Sequence, residues 1–571
     1  MSRTVAEVIV DVFQSAGVER CYGIPGDTLN HFAGAIKASE IRWIQMRHEE
    51  AGAFAAAADA QLTGKLTVIA GSCGPGSLHF INGVYDAHRN GAPMVLIASQ
   101  IARDSLGFEF PQEVDFKAVY KDCSCYCDEI RTPEQAERKV ALAVQMALAE
   151  RDVAVLIVPV DVAAATIAPR GAKVHHVHPT VTPSYAELAA MAAILNEGEN
   201  IAIYGGIGCQ HAHDQVVSLA QRLCAPIART TRAKDFLGYD NPYDVGMTGV
   251  LGMKSGYDAV LKCDTLLVLG CGFAWSQFYP DHAKIVQVDL KAKSLGRRHA
   301  VDLGVVGDVG PTIEALLPLL RERSDRRFLD AHLKQTETSL AKQNRPAKDP
   351  HVGRPIHPQF MVETIARQAA PDAVWACDDG SAVVFAIRHV PATGQNRTLA
   401  SFVHGTMASG LASALGAKAA FPDRQVIALC GDGGLTMLMG DMLTAVQEKL
   451  PVKIAVVNNH SLGFVELEQR VEGMLSTYTG LENPDFGKVA EAMGYWGRRV
   501  TRGEDLEDAV REWLAQSGPA LLDVVTSRYE LIMPPKAELP QALGMAMYGL
   551  RAVLAGQTDE LTEMATQNFL Y

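Results

Sequence analysis

Two short segments hold the side chains best suited to chemistry. Gly431-Asp432-Gly433-Gly434 follows and closes the apolar run QVIALC, and Asn458-Asn459 closes KIAVV. Each run reads as a strand, so Asp432 and Asn459 fall at the carboxyl ends of parallel strands, where open α/β sheets bind ligands. A carboxylate and an amide oxygen are hard donors of the kind Mg²⁺ takes, with phosphate oxygens completing its shell. Glycines around Asp432 let a diphosphate approach the backbone. A lone GDG says little; the Asn pair, ending a span of 29 residues that starts at Gly431, makes a diphosphate and metal site the expected reading. A second candidate stands in RHEEAGAFAAAADAQ, where Glu49 opens an alanine-rich stretch. Taken alone it is an ordinary first-turn carboxylate, favoured by the helix dipole.

The elements that must position these groups alternate. From Leu66 to Leu96, apolar runs (LTVIA, PMVLIAS) alternate with Gly-rich turns and helical stretches, the pattern of a parallel sheet with crossover helices. The pattern pauses at PRGAKVHHVHPTVTP (169–183), resumes with strands near Ile201, Thr265 and Lys284, and fades after Leu320 towards a second linker, RPAKDPHVGRPIHP (345–358). It returns at Ala373, Gln425, Val452 and Ala520, and after Ile532 no strand pattern remains. The expected fold class is α/β: three doubly wound parallel-sheet domains plus a C-terminal helical tail, over residues 1–178, 184–335, 356–530 and 531–571.

Composition agrees with a multi-domain globular chain of this build. The 571 residues exceed what one core holds. Hydrophobic residues at 48% and charged ones at 20%, with 49 Gly and 27 Pro spread throughout, exclude disorder and fibrous repeats. A net charge of −13 repels phosphate backbones, so no nucleic-acid partner is expected. Eleven Cys at irregular spacing fit a reducing compartment. The N-terminal stretch reads as a helix rather than a signal peptide, and no apolar run reaches the roughly 18 residues of a spanning helix, so a cytoplasmic location is expected.

On the GDGG and NN motifs and on Glu49, the chain resembles the thiamine-diphosphate-dependent enzymes. The resemblance implies that Mg²⁺ bridges the diphosphate to Asp432, Asn459 and the backbone carbonyl of Ser461. It implies that Glu49 lies against the aminopyrimidine and favours the imino tautomer that takes the thiazolium C2 proton. It extends the thiamine diphosphate site to Gly405, Thr406 and Met407 of HGTMASG, with Met407 propping the bent cofactor, to Gly433 and Gly434, and to His460, Leu462, Gly463, Phe464 and Val465. SCGPGSLHFINGVYDAH (72–88) carries the family's Gly-Pro-Gly turn.

NPYDVGMTGVLGMKSG and GCGFAWSQFYPDHAKIVQVDL resemble the FAD-binding segments of the flavin-containing pyruvate-oxidising branch, a likeness that covers essentially the whole chain. It implies FAD lined by Val250, Leu251, Gly252 and Met253, by Phe273, Ala274, Trp275, Ser276 and Gln277, and by Asp289 and Lys291. It further implies pyruvate as substrate, ubiquinone as acceptor, Phe464 assisting electron transfer, and a homo-oligomer, a tetramer being typical. The rival expectations are an acetolactate synthase-like carboligase with FAD and a cofactor-binding regulatory protein without turnover.

The chain departs from the branch at three places. Pro111 precedes Gln112 and Glu113 where an aromatic is usual. Asp379 in CDDG replaces an apolar residue; pointing inward it would perturb Glu49 near the pyrimidine, and the expected reading is that it is solvated or caps the next helix. Lys291 replaces a neutral residue, so its FAD contact is expected from backbone only. CSCYC (Cys123, Cys125, Cys127) is expected to put three reduced thiols on one face of a strand, and His175, His176 and His178 to be solvated in a linker. In the tail, Leu543, Met547, Leu550 and Leu554 form one helical stripe. The resemblance implies that this tail meets membrane lipid, peripherally on the inner face of the cell membrane. From Lys536 onward the net charge is −2, so apolar burial rather than attraction to anionic lipid would carry the contact.

Overall fold

The computed structural model describes residues 3–175, 179–350, 352–532 and 539–568. Its framework is three six-stranded sheets, parallel throughout. The first runs Arg42–Gln45, Arg20–Gly23, Thr67–Gly71, Met94–Gln100, Val153–Pro159, Tyr126–Glu129 from edge to edge. The third repeats that order with Arg397–Leu399, Val374–Cys377, Val426–Gly431, Lys453–Asn458, Ala520–Val525, Trp496–Val500. In both, the second strand is laid outside the first before the chain crosses over for the third, which opens a switch point between first and third strands. The middle sheet runs Asp244–Met247, Ile227–Arg229, Ile201–Gly205, Thr265–Leu269, Lys284–Asp289, Leu303–Val306. That is the 3-2-1-4-5-6 order of dinucleotide-binding sheets. The central strands are apolar without alternation because helices cover both faces; Met94–Gln100 and Val153–Pro159 are buried along their whole length.

The first and third sheets share one core. Its seam is the helix Glu49–Thr63 against the helix Ser409–Ala420. Both are rich in Ala and Gly, so their backbones come close: a Cβ added to Gly416 would lie 1.9 Å from the Ala55 carbonyl oxygen. Polar clasps surround the seam, with Arg47 N donating to Asp441 Oδ1 (2.9 Å), Ser401 Oγ to Asp86 Oδ1 (2.6 Å) and Asn82 Nδ2 to Thr406 Oγ1 (2.9 Å).

The tail is two helices, Leu539–Leu554 and Thr558–Asn568. The first sets Gly544, Tyr548 and Ala552 against the helix Gly463–Val471, and the stripe Leu543, Met547, Leu550 and Leu554 faces outward, each at least half exposed. The second is pinned by Gln567 to Ser527 and by Asn568 Nδ2 donating to the Tyr529 carbonyl (2.8 Å).

One expectation fails in part. The strand at CSCYC begins only at Tyr126, so Cys127 alone of the three thiols lies on it; Cys123 sits in the preceding turn, its amide bonded to the Tyr120 carbonyl. The turn after the helix Phe116–Tyr120 takes up the residues that a longer strand would need. His176 and His178 lie outside the described residues.

Gly416→Val is expected to lower unfolding free energy by about 2–4 kcal/mol, because a backbone oxygen cannot yield as a flexible side chain does. Gly34→Ala, where an added Cβ meets nothing within 4 Å, is expected to be neutral or stabilising in the same denaturant titration.

Candidate active site

At the switch point of the third sheet a cavity of about 190 Å³ opens between the loop after Val374–Cys377 and the loop after Val426–Gly431. Of the residues singled out above, Gly405, Met407, Asp432, Gly433, Gly434, Asn459, Ser461, Leu462, Gly463, Phe464 and Val465 line it. Thr406 and His460 stand behind the wall. Thr406 Oγ1 accepts from Asn82, and the His460 amide donates to Asp432 Oδ2 (2.8 Å) from a left-handed turn at φ +57°.

Asp432 is held hard. Its Oδ1 accepts from Gly433 N (2.9 Å), and its Oδ2 accepts from His460 N and from Asn483 Nδ2 (2.7 Å). Burial pushes the carboxyl upward and these donors oppose the push. The two asparagines divide the work. Asn458 is a buried strut, donating to Asp523 Oδ1 (2.9 Å) and accepting from Asn483 (3.0 Å), whereas Asn459 faces the cavity with its Oδ1 accepting from Ser461 N (3.0 Å). Ser461 pairs with Gly480 across a short antiparallel bridge whose bonds run from Leu462 N to Thr479 O and from Leu481 N to His460 O. Those bonds pass on either side of Ser461 and leave its carbonyl outside the ladder.

The residues fit a metal-bound diphosphate. A carboxylate, an amide oxygen and a backbone carbonyl form a hard donor set for Mg²⁺. Beside them is a cradle that a side chain would fill: a Cβ on Gly431 would meet nothing within 4 Å, and one on Gly380 only Phe464 Cβ at 4.0 Å.

Sequence reasoning missed Asn483, 51 residues beyond Asp432 in an unremarkable LENPD, and it missed Asp378. Asp378 is buried beneath Gly434, where a Cβ would collide with Asp378 Oδ2, and its Oδ1 has no hydrogen-bond partner. Burial pushes this carboxyl up to about 7, against pull from the amides of Gly410, Asp379 and Ser409. Asp379 is a correction. It does not cap the helix Ser381–His389, which starts from Gly380 without a side-chain cap; it is half-buried and forms part of the cavity wall.

Glu49 opens its helix behind His48, is 7% exposed, and has Oε2 at 2.9 Å from His79 Nδ1, while His79 stacks on His48. It does not line the third-sheet cavity of its own chain. In the neighbouring loop Glu113 accepts from Gly107 N (2.7 Å), and Gln112 approaches Cys73 of the Gly-Pro-Gly turn.

In the middle unit the two expected flavin segments are brought together: a Cβ on Gly249 would strike the Phe273 ring at 2.5 Å. Val250 and Trp275 are exposed, as are Ala274, Ser276 and Gln277, whereas Gly252 and Met253 are buried and Leu251 packs on the third unit. Asp289 ends its strand and accepts from Lys291 N (2.9 Å). The Lys291 ammonium donates to the Glu150 carbonyl (2.6 Å). Gly208, unmarked in the sequence reading, meets Gly270 at the switch point, where a Cβ on either would lie within 3 Å of the other's backbone.

Models of the thiamine pyrophosphate enzymes match all three units: the N-terminal TPP binding domain over residues 3–119, the central domain over 188–316 and the C-terminal TPP binding domain over 378–524. A Bacillus subtilis (strain 168) protein, YdaP, whose name describes it as thiamine pyrophosphate-containing, is 32% identical over 98% of both chains. The chain belongs to the thiamine pyrophosphate enzyme family. Its first and third units are that family's thiamine-diphosphate-binding domains. Also similar to it are the pyruvate oxidase of Lactiplantibacillus plantarum, 30% identical over 94% of this chain and 91% of that one, and the acetolactate synthase large subunit of Parasynechococcus marenigrum, 29% over 95% and 91%.

Asp378 gives a pH signature. Its folded pKa is raised above the unfolded value of 3.8, so it costs no stability below that value, opposes folding increasingly as pH rises from there to about 7, and adds nothing further above. The stability of Asp378→Asn relative to the natural protein is therefore expected to rise between pH 4 and 8, by on the order of 2–4 kcal/mol, in cofactor-free denaturant titrations.

Proposed function

We propose that the chain is a thiamine diphosphate- and FAD-dependent pyruvate dehydrogenase of the quinone-reducing kind. Pyruvate and water become acetate and CO₂, and two electrons with two protons pass through FAD to ubiquinone. The observation that carries this reading is the tail helix, docked by Gly544, Tyr548 and Ala552 with Leu543, Met547, Leu550 and Leu554 turned outward. An enzyme that delivers electrons to a lipid-dissolved quinone has a use for such a face; a carboligase has none. FAD is supported by the 3-2-1-4-5-6 middle sheet and the Gly208–Gly270 approach at its switch point. Pyruvate is supported by similarity to the Lactiplantibacillus plantarum pyruvate oxidase.

Bound thiamine diphosphate supplies a nucleophilic carbon and an electron sink for decarboxylation. The chain's residues do the rest. Asp432, Asn459 and the Ser461 carbonyl hold Mg²⁺; Gly433, Gly434, Gly405, Thr406, His460, Leu462, Gly463 and Val465 shape the cradle, and Met407 is its apolar prop. Glu49 holds a proton against the aminopyrimidine. Val250–Met253, Phe273–Gln277, Asp289 and the Lys291 backbone take FAD. Phe464 stands on the cavity wall at the start of the helix whose far side carries the tail, so the site and the tail share one element. Glu49 does not line the cavity of its own chain, which supports a complete site that joins the first unit of one chain to the third unit of another, in at least a dimer and, by the family's habit, a tetramer.

Membrane contact would be peripheral, on the inner face of the cell membrane. Among the described residues no helix is long and apolar enough to cross a membrane. The second reading, an FAD-containing acetolactate synthase-like carboligase, is favoured by the likeness to acetolactate synthase. A cofactor-binding protein without turnover is disfavoured by the presence of both Glu49 and Asp432.

Anaerobic pyruvate is expected to bleach the flavin, and a quinone analogue to restore it with acetate as product; a flavin that stays yellow while acetolactate forms would establish the carboligase instead. Glu49→Gln is expected to lower acetate formation at least about 100-fold. In flotation with liposomes the protein is expected to rise with lipid when pyruvate is present and not without it; absence of lipid binding by the reduced enzyme removes the membrane part of the reading.

A further inference from the structure

The wall of the third-sheet cavity is largely apolar or glycine, with Met407, Val457, Leu462, Phe464 and Val465 among its residues. Two acidic residues belong to it. Asp432 is engaged by three donors, as described. Among the described residues the adjacent Gly380 amide is the one hydrogen-bond donor that lowers the Asp379 carboxyl, and one carboxyl oxygen stands 3.8 Å from where a Cβ on Gly405 would be. Apart from Gly405 and its chain neighbours, no other described atom comes within 4 Å of that point, so the carboxyl borders open space in front of Gly405. Burial pushes the carboxyl up to about 6, and Asp378 and Asp86, the nearest buried carboxyls, are themselves raised by its charge. A partly desolvated acceptor left facing a methyl group keeps its desolvation cost, whereas a ligand hydroxyl relieves it. A site built to bond a hydroxyl rejects the analogue lacking it far more strongly than an apolar pocket rejects an added hydroxyl.

We infer that Asp379 is a specificity-determining residue, accepting a hydrogen bond from an O–H on the carbon next to the keto group, so that the favoured substrates are 3-hydroxy-2-oxo acids rather than unsubstituted pyruvate. This rests on the reading that the chain oxidatively decarboxylates 2-oxo acids. The conversion keeps the same balance: hydroxypyruvate and water give glycolate, CO₂, two protons and two electrons to the quinone, and the hydroxyl is untouched.

The test compares kcat/KM for hydroxypyruvate and pyruvate in the holoenzyme, with a quinone analogue as acceptor, for the natural protein, Asp379→Val and Asp379→Asn. It adds the Kd of thiamine diphosphate measured without substrate. The natural protein is expected to favour hydroxypyruvate at least ~10-fold, Asp379→Val to lose or invert that preference, a swing of ~10- to 100-fold, and Asp379→Asn to keep part of it. Cofactor affinity is expected to stay within ~3-fold, since the carboxyl serves the substrate. An unchanged substrate ratio in Asp379→Val overturns the inference, and so does cofactor binding weakened by tenfold or more with the ratio intact, which would assign the carboxyl to the cofactor. If Asp379→Val does not fold, Asp379→Asn carries the comparison, and a ratio within twofold of the natural one overturns the inference. Turnover of neither acid by the natural protein would overturn the parent function as well.

Discussion

The close approach of the helices Glu49–Thr63 and Ser409–Ala420 governs the molecule. Two backbones can meet at Ala55 and Gly416 only because neither helix carries a large side chain at the seam. The run of buried alanines in the first helix is the consequence; it is enclosed on all sides and has no polar face to display. Once the seam is fixed, the first and third sheets share a core, and the amino end of the second helix is fixed with it. The amides of Ser409 and Gly410 at that end support Asp378, and Asp378 in turn underlies Gly434 at the cavity. Packing far from the cavity thus sets the height of its floor.

The same topology is used twice with different contents. First and third sheets open their switch points beside the shared seam, and each contributes a different kind of group: a carboxyl at the head of a buried helix from one, a hard oxygen set and a glycine cradle from the other. The middle sheet has another strand order and another switch point, where Gly208 and Gly270 let the loops after its first and fourth strands pack backbone to backbone. The tail is bound less deeply. Gly544, Tyr548 and Ala552 hold it to the helix that begins at Gly463, and Arg470 of that helix lies over the Tyr548 ring while pairing with Glu466, which accepts from Ser461 Oγ. A continuous set of contacts therefore runs from the Ser461 turn to the tail.

Much of this was legible in the sequence, for a physical reason. Strands buried on both faces must be apolar throughout, so QVIALC, KIAVV and TLLVLG announce themselves, and the residues after them mark the strand ends where Asp432 and Asn459 stand. Edge strands such as Arg42–Gln45 and Trp496–Val500 are part-exposed and carry charge, so no continuous apolar run marks them. Asn483 was illegible because nothing local distinguishes an asparagine that reaches back to Asp432 from one in a turn. Asp379 was visible as a departure, but its place in the cavity wall depends on how the loop after Cys377 packs, which no period or spacing records.

The proposed two-chain site can be tested by mixing subunits. Glu49→Gln and Asp432→Asn each disable one half of the site, so each is expected to be inactive alone. If one chain's first unit works with another's third unit, unfolding and reassembling the two variants together restores roughly a quarter of natural activity, because random pairing leaves about one site in four with both halves intact. Activity no higher in the mixture than in either variant would contradict a site built between chains.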